Sequence, residues 1–211
     1  MALPSPAHDC PICPRLADFR AANAVAYPSF FNGPVPSWGP EGAGLFITGL
    51  APGLKGANQT GRPFTGDYAG DTLYAALLRH GFATGTYGRS PTDGMQLVNC
   101  RIANAVRCVP PENKPTPNEI NRCRPFLIGE LAAQEKSGVI LALGTIAHQS
   151  VLRALGIPVA RFKFAHGAEH ALPDGRTLID SYHCSRYNTN TGRLTEAMFD
   201  AVIARCRALL S

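Results

Sequence analysis

Gly44-Leu-Phe-Ile-Thr48 runs straight into Gly49-Leu-Ala-Pro-Gly-Leu-Lys-Gly-Ala-Asn-Gln-Thr-Gly-Arg-Pro-Phe-Thr-Gly-Asp67, and this junction decides how the chain is read. The first piece is a short apolar run bounded by glycines, the pattern of a buried strand. The second is a long loop in which Gly49, Gly53, Gly56, Gly61 and Gly66 let the backbone turn sharply and bring bare N–H groups close to a ligand. Asn58, Arg62, Phe64 and Asp67 add an amide, a guanidinium fork, an aromatic face and a carboxylate to the same loop. The Gly-Lys-Ser/Thr ending of a phosphate loop and the tight glycine spacing of a dinucleotide fingerprint are both missing, so neither nucleotide site is supported.

Outward from this junction, apolar patterns alternate between two periods. Asp71 to His80 carries Leu73, Leu77 and Leu78 at helical spacing and stops at Gly81. Gln96 to Arg107 reads as a second extended run, ended by Pro110, Pro111 and Pro115. Thr116-Pro117-Asn118-Glu119 is a capping box with proline in the first turn, which predicts a helix through Leu131. Val139 to Leu143 is a third strand, followed by a helix from Gly144-Thr145 to Leu155. A basic-aromatic piece, Arg161 to His166, leads to a turn at Asp174-Gly175. Thr177 to Tyr182 is the fourth strand, and Leu194 to Leu210 is helical. Strand and helix alternate throughout, which predicts a three-layer α/β/α sandwich around a mainly parallel four-stranded sheet, with ligands beyond the carboxyl ends of the strands. The loops after the first, second and fourth strands (Gly49 to Asp67, Asn104 to Asn113, His183 to Gly192) should therefore rim one cleft.

The 211 residues, 45% hydrophobic and 17% charged, suit one domain over residues 1–211 with one substantial core. No run approaches a membrane span and no secretory signal is visible after Met1, so a cytoplasmic, monomeric protein is expected, with a flexible leader over Met1 to His8. The net charge of +5 rests mainly on arginine, the side chain that forks onto phosphate, which is compatible with a nucleic-acid partner. Seven cysteines in a reducing compartment point to metal binding or buried thiols instead of disulfides. Cys10-Pro-Ile-Cys13 lacks the preceding strand of a redox dithiol, so a metal-ligand pair is the better reading.

The glycine loop, taken with His183-Cys-Ser-Arg-Tyr-Asn-Thr-Asn-Thr-Gly-Arg193, resembles the two signature motifs of the family 5, or type B, uracil-DNA glycosylases. The segment Asn104 to Cys108 and four of the cysteines match as well, so the resemblance covers nearly the whole chain. It implies a DNA-repair enzyme that flips a deaminated base out of DNA and hydrolyses its N-glycosidic bond, on a four-stranded α/β/α fold carrying an iron-sulfur cluster. Two positions depart from the pattern. Cys184 replaces the usual proline after the histidine, which loosens the loop that aims His183, and Lys55 stands where histidine is common.

Glycosidic cleavage passes through an oxocarbenium-like sugar, so the site must stabilise charge on the departing base and offer water to the sugar. Phe64 can floor the flipped base and Asn104 can read its Watson–Crick edge. Gly49, Leu50, Ala51, Gly53 and Asn188 complete the expected substrate contacts. His183 can donate to the base oxygen that gains charge. Leu50 and Ala51 occupy the place where other branches carry a polar water-positioning side chain, which leaves Asp67 as the water-orienting carboxylate; its competing role is to cap the helix near Asp71. Arg62, Ser185, Arg186 and Arg193 are expected on the DNA backbone. Cys10, Cys13, Cys108 and Cys123 supply four thiolates, which suit zinc or a structural 4Fe-4S cluster; the spread of the second pair over a loop and a helix favours the cluster. Cys100 and Cys206 read as buried thiols, Cys184 as a reactive one, and His80, His148, His166 and His170 as ordinary hydrogen-bonded histidines. A non-catalytic damaged-DNA or abasic-site binder, and a small-molecule hydrolase using the same cleft, are the competing functions. Release of free uracil separates the first from the enzyme, and absence of any DNA binding would support the second.

Overall fold

The structure is a computed structural model and describes residues 5–211. In chain order the elements are α1 (Pro14–Ala26), β1 (Leu45–Gly49), α2 (Ala57–Thr60), α3 (Tyr68–Arg79), β2 (Ala83–Thr84), β3 (Gln96–Leu97), β4 (Cys100–Asn104), α4 (Pro117–Ala133), β5 (Val139–Leu143), α5 (Thr145–Ala154), β6 (Glu169–Ala171), β7 (Thr177–Ser181), α6 (Arg186–Asn190) and α7 (Glu196–Ala208). The leader expected over Met1 to His8 lies partly outside the described residues. Its described end is tied down, because His8 Nε2 bonds the Phe31 carbonyl at 3.1 Å and the two rings meet edge to face.

The central sheet has the order β4-β1-β5-β7-β6. The four predicted strands β4, β1, β5 and β7 run parallel, and β6 adds a fifth, antiparallel to β7, at one edge. Only three residues long and polar, β6 has no apolar run to announce it; it forms because the chain reverses at Asp174-Gly175, where Gly175 has φ 94° and Leu172 N–H bonds the Arg176 carbonyl. The second predicted strand is divided. Asn99, at φ 48°, breaks it, and its side-chain oxygen accepts from Gly44 N–H at 2.6 Å, so Gln96–Leu97 pairs with β2 in a separate hairpin while Cys100–Asn104 joins β1.

Parallel strands must be covered on both faces, and the sequence supplies both covers. Leu45, Ile47, Cys100, Ile102, Leu141 and Ile179 face one way, against Leu73 and Leu77 of α3 and Phe199, Val202 and Ile203 of α7. Phe46, Ala103, Ile140, Ala142 and Leu178 face the other, against Leu127 and Leu131 of α4 and Ala147, Val151 and Leu152 of α5. Each fully buried leucine contributes about 2 kcal/mol by leaving water. The predicted capping box starts α4: Glu119 N–H bonds Thr116 Oγ1 at 3.3 Å, and Glu119 Oε2 accepts from Thr116 N–H at 2.7 Å. Arg15 of α1 forks onto the same Glu119, at 2.7 and 2.8 Å, which fastens the N-terminal helix to α4.

Register aligns the strand ends. Gly49 lies opposite Asn104, and Leu143 opposite Ser181, so the loops after β1, β4, β5 and β7 leave one edge of the sheet together. The connections leaving the neighbouring strands β1 and β5 diverge, since β1 is followed by β4 on one side and β5 leads on to β7 on the other. Such a reversal opens a crevice at the strand ends.

Candidate active site

That crevice is a cavity of about 630 Å³. Leu50, Ala51, Pro52, Gly53, Lys55, Ala57, Phe64, Gly66 and Asp67 line it from the β1 side; Asn104 and Asn113 come from the β4 side, and His183, Ser185 and Arg186 from the β7 side. The three loops singled out in the sequence therefore meet. Tyr68, Ala69 and Arg89 complete the wall.

Glycine is required at the floor. A Cβ on Gly49 would stand 2.6 Å from both Asn104 Oδ1 and Phe64 Cζ, so only a bare Cα lets the Phe64 ring and the Asn104 amide approach across the end of β1. Phe64 itself has φ 51°, a left-handed conformation that costs a non-glycine residue about 1–2 kcal/mol. Its neighbours hold it there: Tyr74 donates to the Pro63 carbonyl, and Tyr87 donates to the Phe64 carbonyl at 3.3 Å. A Cβ on Gly70 would fall 1.9 Å from that same carbonyl oxygen. The Phe64 ring lies 5.9 Å from the His183 ring, 30° from parallel. Asn104 is buried, and among the described residues its amide makes no hydrogen bond within the protein, which leaves donor and acceptor for a ligand.

His183 follows β7, aimed by its loop. Asn188 Nδ2 donates to the His183 carbonyl at 2.8 Å, and Cys184 Sγ donates to the Ala69 carbonyl at 3.4 Å. Burial pushes the His183 imidazole down to about 4, so near pH 7 the ring is neutral and offers one N–H. Cys184 is fully buried, and burial raises its thiol to about 12. The reactive role expected of it is therefore corrected: a protonated, inaccessible thiol is not a nucleophile. Its bond to Ala69 also takes over the bracing that proline was expected to supply.

Asp67 takes the capping role weighed against the water-orienting one, and it also lines the cavity. As N-cap of α3 it accepts from Gly70 N–H at 3.3 Å through Oδ1. Its Oδ2 occupies space that glycines leave open, since a Cβ on Gly56 would come within 2.3 Å of it and one on Gly53 within 3.2 Å. Burial raises its pKa, opposed by the Gly70 and Ala69 N–H groups.

Two expected contacts are corrected. Arg62 is buried, with Nη1 and Nη2 on the Asp93 carboxylate at 2.8 and 2.7 Å, Nε on Thr65 Oγ1 at 2.7 Å, and its guanidinium 4.5 Å above the Trp38 ring. Buried, with all three nitrogens already bonded inside the protein, it does not face the DNA backbone and serves instead as a pillar under the glycine loop. Asn188 does not line the cavity; it braces the His183 carbonyl. Arg186 and Arg193 are exposed, over the rings of Tyr68 and Tyr182 at 5.6 and 4.5 Å. Tyr68, Arg89 and Asn113 were not identified from sequence. Arg89 sits in a polar stretch without periodicity, fixed by a bidentate pair with Asp71 at 2.8 and 2.6 Å, and no local pattern marks such a placement.

Cys10, Cys13, Cys108 and Cys123 line a second, small cavity between α1, the loop after β4, and α4. Arg20 Nη1 donates to Cys108 Sγ at 3.3 Å, and Arg107 N–H donates to Cys123 Sγ at 3.4 Å. Burial raises the Cys108 thiol to about 11 and also raises Cys13 and Cys123, so this apolar corner disfavours bare thiolates and suits a cation that neutralises them. Four thiolates on a single zinc would stand about 3.8 Å apart, given Zn–S bonds of about 2.3 Å. Among the described residues, the one set of three or more ligand atoms gathered within 4.8 Å consists of His148, His170 and Asp180, so no three of the cysteine sulfurs converge that closely. Four cysteines around one cavity, two of them receiving N–H donors at sulfur, form a donor set suited to a thiolate-bound metal centre. Cys100 and Cys206 are buried thiols, as expected, both raised by burial.

A family profile described as the uracil DNA glycosylase superfamily matches residues 36–207, and the chain belongs to that superfamily. It is 41% identical over 206 residues to a type-5 uracil-DNA glycosylase of Thermus thermophilus, covering 95% of this chain and 93% of that one. It is 43% identical over 208 residues to the type-5 enzyme of Mycobacterium leprae, covering 95% and 91%, and 39% identical over 204 residues to that of Pyrobaculum aerophilum, covering 95% and 88%. Its place in the superfamily is the type-5 branch.

Proposed function

We propose that this protein is a monofunctional DNA-repair N-glycosylase that flips uracil and other deaminated bases, hypoxanthine among them, out of DNA and hydrolyses the bond to the sugar. The convergence of Phe64, Asn104, a neutral His183 and a half-buried Asp67 in one cavity carries this reading. Type-5 relatives named uracil-DNA glycosylases support it. Phe64 receives the flipped base and Asn104 pairs with its edge. The bond from C1′ to the base nitrogen breaks with its electron pair going to the base, and the His183 N–H stabilises the charge that reaches the base oxygen. Water held by Asp67 bonds to C1′ and passes a proton to the Asp67 carboxylate, while the base departs as its anion and takes a proton from solvent. Single-turnover release of free uracil from a labelled oligonucleotide tests the reading; tight binding without release would leave a damage-binding protein in its place.

Cys10, Cys13, Cys108 and Cys123 would hold a structural 4Fe-4S cluster, favoured over zinc because the second pair is spread over a loop and a helix. When bound, the cluster supplies cross-linking rather than reaction chemistry. Among the described residues no helix is long and apolar enough to cross a membrane. A single monomeric domain acting in the cytoplasm on single- or double-stranded DNA agrees with this reading.

Breadth follows from the pocket. Strict uracil enzymes reject wrong bases by leaving buried polar contacts unpaired. Here Leu50 and Ala51 give no such side-chain contact, so the pocket should tolerate hypoxanthine. Asp67→Asn should lower uracil excision about tenfold, below the usual 10²–10⁴ of a general base because uracil departs well before water bonds. The loss should be larger for a poorer leaving group, and equal losses across a base panel would remove the water-serving role. In wild type the rate should fall on the acid side as Asp67 protonates, above the ordinary carboxylate value, and that limb should vanish in Asp67→Asn.

Tyr187, 72% exposed and next in sequence to the cavity-lining Arg186, would fill the gap a flipped base leaves in the stack. Arg186→Ala should weaken damaged and intact DNA alike and flatten the salt dependence. Tyr187→Ala should slow excision from duplex more than from single strands. An Arg186→Ala effect confined to base preference, or a Tyr187→Ala effect equal on both substrates, would reverse these assignments.

A further inference from the structure

We propose that His148, His170 and Asp180 bind one divalent transition-metal ion of the zinc, cobalt or nickel class, at a site separate from both the cavity and the cysteine corner. His148 lies on α5, His170 on β6 and Asp180 on β7, in a part of the molecule that the glycosylase reading does not use. Asp180 is 0% exposed and His148 1%. His148 Nδ1 stands 2.8 Å from Asp180 Oδ1, and His170 Nε2 stands 3.1 Å from Asp180 Oδ2. The three ligand atoms all lie within 4.8 Å of one another.

The decisive contact is on the far side of the His148 ring, where Nε2 faces the Phe162 carbonyl at 3.1 Å. A carbonyl oxygen can only accept, so Nε2 carries a hydrogen. In a neutral imidazole this turns the Nδ1 lone pair toward the Asp180 oxygen, and two acceptors 2.8 Å apart need a cation between them. A proton meets that need for one pair of atoms. The second imidazole, brought to the other oxygen of the same carboxylate, completes the two-histidine, one-carboxylate set that borderline divalent ions take. The Nε2–H bond to a main-chain carbonyl is also the outer contact that orients a metal-bound histidine. Phe162 and Phe164 close the site: His170 packs on Phe162 with centroids 5.0 Å apart, and His148 meets Phe164 edge-on at 5.8 Å. The His170 side chain keeps 12% exposure, which gives an ion a way in. An ion there would pin α5, β6 and β7 together, three residues before His183.

The intact, iron-loaded protein should be dialysed against low-micromolar zinc, its metals counted by mass spectrometry and its thermal midpoint followed. About one zinc per chain should bind beyond the iron, with iron and sulfide unchanged and the midpoint raised. X-ray absorption at the zinc edge should show nitrogen and oxygen neighbours. His170→Ala changes a partly exposed residue on an edge strand, so the fold and the iron should survive while zinc binding weakens at least about 100-fold and the thermal shift disappears. No zinc beyond the iron in the wild-type protein, sulfur neighbours at the zinc edge, or undiminished zinc in His170→Ala would each overturn the assignment and leave a proton-held network.

Discussion

His183→Ala should slow single-turnover excision of every base about 10²–10³-fold, or about 3–4 kcal/mol of transition-state stabilisation, with damaged-DNA affinity nearly unchanged. In the proposed mechanism the donor would face an oxygen only weakly charged before the bond breaks and strongly charged as it breaks, so its removal should raise the barrier more than it weakens binding. Neutrality is part of the argument. With its pKa pushed down to about 4, the ring keeps a single N–H over the working range and does not titrate near the ordinary 6.5. The wild-type rate should therefore show no step around pH 6.5. A His183→Gln variant, which keeps a donor, should recover part of the loss, and a His183→Ala enzyme with full rate would remove His183 from the chemistry.

The strands, the capping box and the three converging loops were legible because each is a local pattern. Apolar runs of strand length fix β1, β5 and β7, and Thr116 with Glu119 fixes the start of α4. Proline and glycine mark where the loops begin and end. Polar side chains were harder to place, because their partners come from distant parts of the chain. Arg62 looked like a phosphate fork in a glycine loop, but Asp93, thirty-one residues on, claims it. Asn188 and Cys184 looked like a substrate contact and a reactive thiol, and both brace the His183 loop. His148, His170 and Asp180 stand on three separate elements, with no spacing to connect them. In each case a buried polar group had to find a partner, and only the fold decides which one is near.

Cys108→Ser should abolish the brown colour, iron and inorganic sulfide together, and the protein should lose solubility. Ligand removal at structural metal sites forfeits binding energy that is also folding energy, on the order of 10 kcal/mol in zinc domains, which is as large as the whole stability of a typical domain. The effect should extend to the active site. Leu16, Val106, Cys108, Ile120 and Cys123 form a small core of their own, and Ala51 of the glycine loop packs against it. Val106 N–H also bonds the Leu50 carbonyl at 2.9 Å, and Ala105 N–H bonds that of Gly49 at 2.9 Å. The floor of the cavity thus leans on the cysteine corner, so any soluble Cys108→Ser protein should excise uracil far more slowly than wild type although no cavity side chain has changed. His183→Ala is the control, since it should lose rate and keep all its iron. Zinc alone after anaerobic purification, or a soluble and fully active Cys108→Ser protein, would separate the four cysteines from both the cluster and the fold.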